Sequence, residues 1–526
     1  MKKGLFYSLI LFLTVWVTGL PAQKVLPVRI EVPGDLEAET YRVEPVGSRG
    51  VIIFYQSKKI NEEGKRIWYF GLFNTKLQQV WLKKVALGTD LAYLSSRHNG
   101  DKLYFLFKSS SRRGRDYDVY QIVVYDNNEQ HFKSITGSIP YKSEIASFNV
   151  LDNTACIGLT LQHRKADMAF VDLTTGEIKP YHLNSEEEAL IETVYSDRKN
   201  KRFIAVVKYY NPVTFFKDEV LLMNSNGTVA AKMNVDYPDN IRLPRNFRVA
   251  QSGKNRLIML GTYDLITGKK PDWKDLVLDK QDTDVKSAGF FFLSFSEDKQ
   301  DKLTYYDFLK FDNTFYSVHG KEIQVTKSGE KTLRMDKNNN QKVNVFYHVN
   351  NPKVTKLDDE FVFSVELYKP YYKTETRMDY DFYGRPYPYT YQVFAGYEFY
   401  DVIFSGFDKN GNMQWNNDFA INNLLTYSLD DHVVVVPDPP LLTLAYVNNG
   451  QIIAETFQGA KDISGRLKLP LESVFAKDKV IKDENNRIRH WYDDYFLVYG
   501  YQKIRNRSLK DKANRTVFFM NKVAFK

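Results

Sequence analysis

Eight short polar turns recur along the 526-residue chain, and an apolar run directly follows each of them. The turns lie at residues 47–50, 98–101, 152–154, 197–200, 252–255, 358–360, 430–432 and 493–494. The first five turns are about fifty residues apart. Self-similarity at this period is typical of chains built from repeated blades, coils or arrays, and not of an ordinary mixed core.

Each apolar run predicts a β-strand. The runs are rich in Val, Ile, Phe and Tyr, which a pleated sheet favours, and the turns contain Asn, Asp and Gly, which tolerate tight backbone conformations. A second run follows a polar loop, as residues 69–73 follow residues 51–55, and two flanking strands complete a four-stranded unit. Because helical periodicity is nearly absent, we predict an all-β chain folded as a single β-propeller of seven or eight four-stranded blades. The number stays open because residues 252–358 span about twice the period.

Three segments resemble known propeller families. Residues 252–258 (Ser-Gly-Lys-Asn-Arg-Leu-Ile) resemble the turn-to-strand signature of WD40-like propellers of the bacterial periplasm. Residues 170–177 and 406–415 resemble the repeat of quinoprotein-type propellers, in which a tryptophan after the turn packs on the next blade. Trp81 and Trp415 occupy that place here. The resemblance implies a bacterial envelope propeller and, at the level of fold alone, no particular function.

The N-terminal segment predicts export. Lys2 and Lys3 precede an apolar stretch over residues 5–20, and a small residue, Ala22, precedes Gln23. This order is typical of a cleaved secretory signal over residues 1–22, and the stretch is shorter than the ~20 residues of a membrane span. We expect a propeller domain over residues 23–526, located in the periplasm or outside the cell, with no membrane span after cleavage. An uncleaved anchor is the alternative.

Two features bear on how the ring is held together. Cys156 is the only cysteine, so an intrachain disulfide cannot form even in an oxidising compartment. A strand predicted at residues 25–32 has no partner in the first unit, whereas the last unit supplies strands at residues 495–501 and 516–525. We expect the N-terminal strand to complete the last blade, which would close the ring and leave no open sheet edge.

Two basic runs lie between the second and third strands of their units. Residues 109–115 include Arg112 and Arg113, and residues 503–515 include Arg505 and Arg507. With a net charge of +9, such runs can contact the phosphates of lipopolysaccharide, phospholipid or nucleic acid, or can be solvated loops. Export argues against nucleic acid as a partner, and no nucleic-acid-binding module is evident.

The same position in another unit holds an aromatic insertion, residues 369–397, which is either a lid packed over the ring or a docking surface. Tyrosine and arginine are enriched among interface residues that carry binding energy, and charges at a rim mainly steer association. The predicted anchors are Tyr383, Tyr387, Tyr389 and Tyr391, and the predicted electrostatic guides are Arg112, Arg113, Arg505 and Arg507. Functional residues concentrate on loops carried by a rigid scaffold, which makes this face the predicted binding face.

The sequence predicts no catalytic residue, metal site or cofactor. The histidines lack metal-ligand spacing, and HExxH, CxxC and nucleophile-elbow patterns are absent. Residues 408–412 are similar to a calcium loop but lack the closing acid, so a hairpin turn is favoured. The aspartate pairs at residues 358–359, 430–431 and 493–494 lie at turns, where Asp accepts backbone N–H groups.

Three functions remain from different classes. The first is a non-enzymatic scaffold that binds a protein partner in the cell envelope. The second is a propeller that binds a glycan or an anionic lipid. The third is a carbohydrate-active hydrolase whose carboxylates converge from different blades. The aromatic and basic loops and the missing catalytic pattern favour the first.

Overall fold

The computed structural model describes residues 28–34, 41–112, 114–183, 187–211, 215–239, 241–266, 286–311, 323–325, 331–333, 345–475, 477–509 and 513–524. The predicted signal segment, Arg113 and residues 510–512 lie outside the described residues. The described chain is β-structure joined by turns, with short 3₁₀ turns at Gly47–Arg49, Gln162–Arg164 and Phe308–Lys310. Within these ranges, no helix has the length and apolar character needed to cross a membrane.

The strands of the first half form four antiparallel sheets in chain order, preceded by β1 (Val28–Pro33). The first sheet contains β2 (Arg42–Pro45), β3 (Val51–Ile60), β4 (Arg66–Phe73) and β5 (Gln79–Leu87). The second contains β6 (Leu91–Asn99), β7 (Lys102–Ser109), β8 (Tyr117–Asp126) and β9 (His131–Pro140). The third contains β10 (Glu144–Leu151), β11 (Thr154–Leu161), β12 (Lys165–Asp172) and β13 (Ile178–His182). The fourth contains β14 (Glu188–Asp197), β15 (Arg202–Asn211), β16 (Phe215–Asn224) and β17 (Val229–Asn234).

The second half forms four more sheets. The fifth contains β18 (Arg242–Ser252), β19 (Arg256–Leu265), β20 (Gly289–Ser296) and β21 (Lys299–Asp307), and a ribbon of β22 (Ile323–Val325) and β23 (Lys331–Leu333) follows in sequence. The sixth contains β24 (His348–Leu357), β25 (Glu360–Tyr380), β26 (Pro386–Phe407) and β27 (Met413–Thr426). The seventh contains β28 (Val434–Asp438), β29 (Leu441–Asn448), β30 (Gln451–Gln458), β31 (Lys461–Asp462) and β32 (Leu467–Pro470). The eighth contains β33 (Lys479–Tyr492), β34 (Tyr495–Arg505), β35 (Asn514–Ala524) and β1.

The sheets are arranged as a β-propeller. In each sheet the strands follow one another as an antiparallel meander, and in the seventh β31 and β32 share the fourth position by pairing with different parts of β30. The first strands of consecutive sheets, from β6 and β10 to β28 and β33, lie next to one another and so form the innermost layer. Four-stranded meanders placed side by side through their first strands are the blades of a propeller.

Hydrophobic clusters join each sheet to the next. Phe54 of the first sheet meets Phe105 of the second with ring centroids 4.9 Å apart, and Phe290 of the fifth meets Phe363 of the sixth at 4.7 Å. Further clusters lie between the remaining consecutive sheets. One more cluster joins the eighth sheet to the first, where the Trp491 indole N–H donates to Gly50 O at 2.7 Å. Apolar burial between neighbouring sheets therefore contributes to holding the fold together.

Most of the predicted strands and turns are confirmed. Seven of the eight turns connect the first and second strands of a sheet. In three of them an aspartate has a left-handed backbone, which Asp tolerates better than most residues: Asp152 (φ 48°), Asp358 (φ 49°) and Asp493 (φ 46°). Cys156 lies buried in β11, as predicted, and burial raises the pKa of its thiol.

The prediction that residues 430–432 form a turn between the first and second strands of a unit was wrong. They connect β27 to β28, so the apolar run that follows begins the seventh sheet, and the first-to-second turn lies at Pro439-Pro440. Two apolar runs, residues 433–436 and 441–447, follow one another closely, and the pattern alone assigned the wrong one to the second strand. In the long interval at residues 252–358, the described residues contain most of the fifth sheet and the β22–β23 ribbon, and no additional four-stranded sheet.

The two tryptophans pack as the resemblance implies. Trp81 lies in β5, and its ring is 5.3 Å from that of Tyr125 in the next sheet. Trp415 lies in β27, packs against the cluster shared by the sixth and seventh sheets, and donates its indole N–H to Glu360 Oε2 at 2.9 Å. Each tryptophan thus lies on the fourth strand of its own sheet and packs against the following sheet.

Candidate functional site

The connections between second and third strands lie together at one end of the propeller, which we call the loop face. They include residues 61–65 and 449–450, the described residues of the connections β7–β8 and β34–β35, and the connection between β25 and β26. Because every sheet repeats the same meander and the first strands form one inner layer, equivalent connections emerge on the same side. The loop face therefore carries the predicted binding residues that the structure describes, which are all of them except Arg113.

The aromatic insertion is a β-hairpin that continues the sixth sheet. The register of β25 and β26 runs from Phe361↔Phe407 out to Tyr380↔Pro386, whereas their outer neighbours end at His348↔Tyr368 and Tyr397↔Thr426. Residues 371–396, which we call the projecting hairpin, therefore pair only with each other. At about 3.3 Å per residue, the hairpin extends roughly 30 Å beyond the flanking strands.

The tip of the projecting hairpin is a hydrogen-bonded turn. Asp381 Oδ1 accepts the N–H groups of Tyr383 at 2.9 Å and Arg385 at 2.8 Å, and Gly384 has the left-handed φ of 75° that the turn requires. This turn presents Phe382, which is 97% exposed, and Tyr383, which is 79% exposed. Two large aromatic side chains are thus fixed at the outermost point of the hairpin.

Three of the four predicted tyrosine anchors share one face of the hairpin. Tyr387, Tyr389 and Tyr391 alternate along β26, so their side chains point the same way. The rings of Tyr389 and Tyr391 stack with centroids 5.9 Å apart, and the Arg377 guanidinium lies 5.5 Å and 5.8 Å from the two centroids. Stacking and the cation–π contact hold this row in place while leaving it accessible to solvent.

The structure favours one of the two interpretations of the insertion. A lid packed over the ring would bury its aromatic side chains, but Tyr387 and Tyr389 are 43% and 45% exposed, and Tyr372 on the other strand is 49% exposed. The described residues of the hairpin are exposed along almost its whole length. The insertion is an exposed aromatic hairpin, and its role as a binding site stays a prediction.

The predicted basic guides lie apart from the hairpin around the loop face. Arg112 is exposed in the second sheet with its Nε 3.8 Å from Asp90 Oδ2, so part of its charge is compensated. Arg505 and Arg507 are exposed at the end of the eighth sheet. In the same run, Arg515 is mostly buried and pairs with Glu31 and Asp478. The structure thus places Arg112, Arg505 and Arg507 on the loop face but not in one patch with the hairpin, and the Arg113 prediction lies outside the described residues.

The aspartates of the predicted turns divide into two groups. Asp408 Oδ1 accepts the N–H groups of Asn410 and Asn412, both at 2.8 Å, which confirms a hairpin turn at residues 408–412. Asp430 and Asp431 instead form ion pairs, with Arg487 and with Lys353 respectively. In the described part of the chain, no three His, Cys, Asp or Glu side chains are grouped as a metal site would require.

A buried acidic group near the β27–β28 connection was missed from the sequence. Glu366 of β25 is 2% exposed and accepts the N–H groups of Val433 at 3.0 Å and His432 at 3.2 Å, as well as the Asn351 amide at 2.7 Å. Burial raises the pKa of Glu366 to about 7, and burial lowers the pKa of His432 to about 4. The signal that could have found it is a glutamate inside an otherwise apolar strand, residues 361–368.

These two groups make stability depend on pH with opposite signs. Between pH 4.5 and about 7 the folded state holds a proton on Glu366 that the unfolded state loses, so this contribution to stability falls as pH rises. His432, with an unfolded pKa of 6.5 and a folded pKa of about 4, contributes stability that rises with pH over that interval. Between pH 4.5 and 6.5 the contributions of Glu366 and His432 to stability therefore change with pH in opposite directions.

Replacing Glu366 by glutamine removes its contribution to the pH dependence of stability and leaves that of His432. We expect the stability of Glu366→Gln relative to the native protein to increase with pH, by up to about 3 kcal/mol across the interval, because the penalised charge is gone. Urea unfolding at a series of pH values measures this difference. Glu375→Gln, which removes an exposed carboxyl from the hairpin, is the control. A pH-independent difference for Glu366→Gln would contradict the assignment.

Comparison with known proteins gives only distant similarity. No protein-family model matches the sequence, and no curated protein matches it significantly. Among solved structures, the β-propeller domain of the Trilobed protease from Pyrococcus furiosus is 8% identical with a TM-score of 0.32, over 81% of this chain and 98% of that chain. The polysaccharide lyase Uly1 is 7% identical with a TM-score of 0.36, over 82% and 90% of the two chains. A prolyl endopeptidase is 9% identical with a TM-score of 0.37, and the match spans 90% of this chain but 55% of that chain. At these TM-scores the similarities do not bear on function, and the propeller architecture follows from the arrangement of the sheets.

Proposed function

We propose that this protein is a non-enzymatic β-propeller scaffold that binds a protein partner through the projecting hairpin. The observation that carries the proposal is the exposure of the hairpin: Phe382, Tyr383 and Tyr380 at its tip are 97%, 79% and 67% exposed. Soluble proteins rarely expose contiguous aromatic surface of this kind unless it contacts a partner. Tyrosines offer a large contact area and a polar tip at a low entropic cost, which suits a protein interface.

The backbone of the hairpin supports the same function. Beyond the ends of β24 and β27 its two strands have no lateral neighbour in the register of the described residues. A partner strand can therefore add to either edge through main-chain hydrogen bonds while alternate side chains contact the tyrosine row. The side chains of residues 371–396 carry both signs of charge, including Arg377 and Glu375, which favours a polar protein surface over an anionic one.

A rigid base for the hairpin completes the proposal. We propose that the eight sheets are eight blades of one ring and that β1 closes it. The clusters between all consecutive sheets, and the cluster between the eighth sheet and the first, support a closed ring. So does the antiparallel pairing of β1 with β35, from Val28↔Lys522 to Pro33↔Val517. A closed ring would hold the hairpin in a fixed direction.

We also propose that the partner lies in the cell envelope. The signal-like order of residues 1–22, with Lys2 and Lys3 before the apolar stretch, supports export and cleavage before Gln23. Three carboxylates that are buried in the described chain support a binding role over hydrolysis, because each is closed off from solvent and held by a partner: Asp218 by Lys208, Asp264 by Arg245, and Glu366 by backbone amides. A general acid or base must come within hydrogen-bond reach of its substrate, and side chains buried in this way do not.

Replacing Tyr383, Tyr387, Tyr389 and Tyr391 together by serine tests the proposed interface. We expect binding to an envelope partner, captured with the tagged native protein and then purified, to weaken by more than about 30-fold, because truncating one true anchor costs about 2 kcal/mol or more. The fold should survive, since the side-chain contacts of these tyrosines are with other residues of the projecting hairpin, such as Arg377 and Phe382. Affinity is measured by surface plasmon resonance and folding by circular dichroism.

A matched control removes an exposed tyrosine from another sheet. Tyr117 of β8, in the second sheet, is 51% exposed, so Tyr117→Ser should leave binding unchanged. Replacing residues 372–395 by Asn-Gly, a two-residue turn that joins the paired Tyr371 and Gly396, should abolish binding in a folded ring. Normal binding by this shortened protein would refute the hairpin as the interface.

A further inference from the structure

The two edges of the projecting hairpin differ in their main-chain groups. At the tip, the Asp381 N–H donates to Arg385 O at 3.0 Å, so the main-chain groups of Asp381 point toward the β26 side. The register from Tyr380 back to Tyr372 has no bulge, and alternate residues of a strand point their N–H and C=O groups to opposite sides. The odd-numbered residues of this segment therefore face β26, and the even-numbered residues face the free edge of β25.

Proline blocks part of the other edge. Pro386 and Pro388 pair with Tyr380 and Met378, so they occupy positions of β26 that face away from β25. Because proline has no N–H, the β26 edge lacks two donors near the tip, which is a common protection against strand addition. Every residue from 372 to 380 has its N–H, so the free edge of β25 is the open edge of the hairpin.

Charges of alternating sign follow this open edge. They share the hairpin face of the tyrosine row, and along β25 they are Lys373, Glu375, Arg377 and Asp379. Arg377 and Asp379 contact each other at 3.3 Å along the strand, whereas Lys373 and Glu375 have no ion-pair partner among the described residues. The signs run plus, minus, plus, minus, and they are reversed when the strand is read backwards. Two antiparallel copies of the strand can therefore match each charge with its opposite.

We propose that two copies of this chain pair antiparallel through the free edges of β25, about a two-fold axis at Thr376. Lys373 of one copy then lies opposite Asp379 of the other, and Glu375 lies opposite Arg377. The two-fold axis repeats both ion pairs. They fall at non-hydrogen-bonded positions, where opposite side chains approach most closely, and the even-numbered residues form about ten main-chain hydrogen bonds between the copies.

The charges select this register over its neighbours. A shift of two residues in one direction places Glu375 opposite Glu375, and a shift in the other direction places Arg377 opposite Arg377. Like charges directly opposite each other destabilise a strand pair. A shift of one residue would bring main-chain groups that face the free edge opposite groups that face away from it, so the strands could not hydrogen-bond.

The other face of the hairpin also gains contacts. Tyr372 of one copy lies opposite Tyr380 of the other, and Thr374 lies opposite Met378. Tyr372, Met378 and Tyr380 are 49%, 59% and 67% exposed in the single chain. Cross-strand aromatic pairs stabilise antiparallel sheets, so pairing covers apolar surface that is otherwise in contact with water.

The hairpin is long enough for this arrangement. The paired segment ends with Tyr380 of one copy opposite Tyr372 of the other, and β24 of the sixth sheet reaches only to the pair His348↔Tyr368. The four residues between positions 368 and 372 leave about 13 Å for the turn of the second copy. Because the axis is perpendicular to the sheet, the two tyrosine rows lie on the same face of one four-stranded sheet.

This dimer uses the same hairpin as the proposed function but does not need the envelope partner. It leaves the tyrosine row of each copy accessible, so a dimer would present the proposed partner interface twice. Self-association is measured on the purified protein alone, whereas the four-tyrosine variant tests partner binding. Failure of one proposal is therefore distinguishable from failure of the other.

Reversing the charges of the edge tests the pairing. Lys373→Glu with Arg377→Glu makes the four charges negative, and Glu375→Lys with Asp379→Lys makes them positive. We expect sedimentation velocity to show a concentration-dependent dimer of the native protein and each double variant to dimerise at least about 10-fold more weakly. An equimolar mixture of the two variants should regain a dimer, because every opposed pair is again of opposite sign. The variant with residues 372–395 replaced by Asn-Gly should be monomeric.

Cysteine cross-linking tests the register. Thr376→Cys places two thiols on Cα atoms about 5.5 Å apart across the axis, which suits a disulfide. In Thr374→Cys the two thiols would be roughly 13 Å apart along the strands, which is too far. Under oxidation with diamide, we expect a covalent dimer of Thr376→Cys and none of Thr374→Cys. The native Cys156 is buried and does not compete.

The outcomes separate a second copy from other occupants. A native protein that stays monomeric over the whole concentration series would overturn the dimer, and it would assign the edge to the envelope partner if the double variants then bind that partner less well. Double variants that dimerise as strongly as the native protein would also overturn it, as would equal cross-linking of the two cysteine variants. A native dimer whose four-tyrosine variant still binds the envelope partner would support the pairing and refute only the proposed partner interface.

Discussion

Removal of residues 23–34, which include β1, is expected to lower the free energy of unfolding of the whole propeller by roughly 5 kcal/mol or more. Val28, Ile30 and Val32 point to one face of β1 and pack against the cluster shared by the eighth and first sheets. Their loss uncovers that cluster and leaves β35 as an open edge. The effect spreads because the same cluster joins the two ends of the chain.

The other face of β1 adds a polar contribution. Arg29 donates to Asn521 Oδ1 and to Gln502 Oε1, both at 2.9 Å, and its side chain is 4% exposed. Glu31 accepts from Arg515 Nε at 2.9 Å. Deletion leaves Arg515 with a single carboxylate partner, Asp478, in a mostly buried position. Breaking a buried charge network from one side is among the more destabilising changes.

Thermal unfolding followed by circular dichroism measures the effect, and a peptide provides the control. We expect one cooperative transition at a lower temperature, and recovery of the native transition when a synthetic peptide of residues 23–34 is added, since it can occupy the vacant edge. A truncated protein that melts at the native temperature would show that β1 does not close the ring.

Replacing Asp218 by alanine is expected to destabilise the protein by about 3–5 kcal/mol. Lys208 and Asp218 are cross-strand partners in β15 and β16, and both side chains are fully buried. The Lys208 ammonium lies 2.7 Å and 2.8 Å from the two carboxylate oxygens and 2.9 Å from Pro244 O, between the rings of Phe216 and Phe247. The alanine variant leaves this cation in a dry site with one neutral acceptor.

An equivalent pair in the second sheet provides a matched control. Lys108 lies 3.0 Å from Asp118 with the same ten-residue separation, but the Lys108 side chain is 15% exposed and can reach water. Asp118→Ala should therefore cost clearly less than Asp218→Ala in urea unfolding. The double variant Lys208→Met with Asp218→Leu should recover most of the loss, because no unpaired charge remains. Equal losses at the two aspartates would contradict the role given to burial.

The Lys208→Met variant adds a test by pH. Burial already raises the pKa of Asp218 against the opposing effect of Lys208. Without the lysine the carboxyl can be kept neutral by protonation, so the folded state takes up a proton and the destabilisation should shrink as pH falls. The destabilisation caused by Asp218→Ala should not shrink as pH falls, because the Lys208 ammonium stays charged in acid.

The blade strands were accessible from the sequence because they depend on local patterning. Apolar runs such as residues 103–107 and 203–207 each follow a polar turn. This pattern predicts strands of a repeated meander, and the structure has strands there. Trp81 was likewise placed by its position after a turn. The exception, residues 430–432, arose where two apolar runs are separated by only a short turn and local pattern no longer distinguishes a first strand from a second.

The functional surfaces depended on contacts that join residues distant in sequence. The aromatic composition of residues 369–397 predicted a lid or a docking surface. Only the strand register showed that Tyr387, Tyr389 and Tyr391 share one accessible face. Lys208 and Asp218 are ordinary surface residue types that become a buried pair only through strand register and the packing of the neighbouring sheet.

By itself the sequence determined the all-β repeat, its turns and the loops that carry aromatic and basic residues, because strand periodicity and turn chemistry act over a few neighbouring residues. Only the tertiary structure decided that the insertion is a projecting hairpin and that Glu366 and Asp218 are buried. Burial and charge compensation are properties of the assembled sheets, and each depends on partners from other strands or neighbouring sheets that no local pattern specifies.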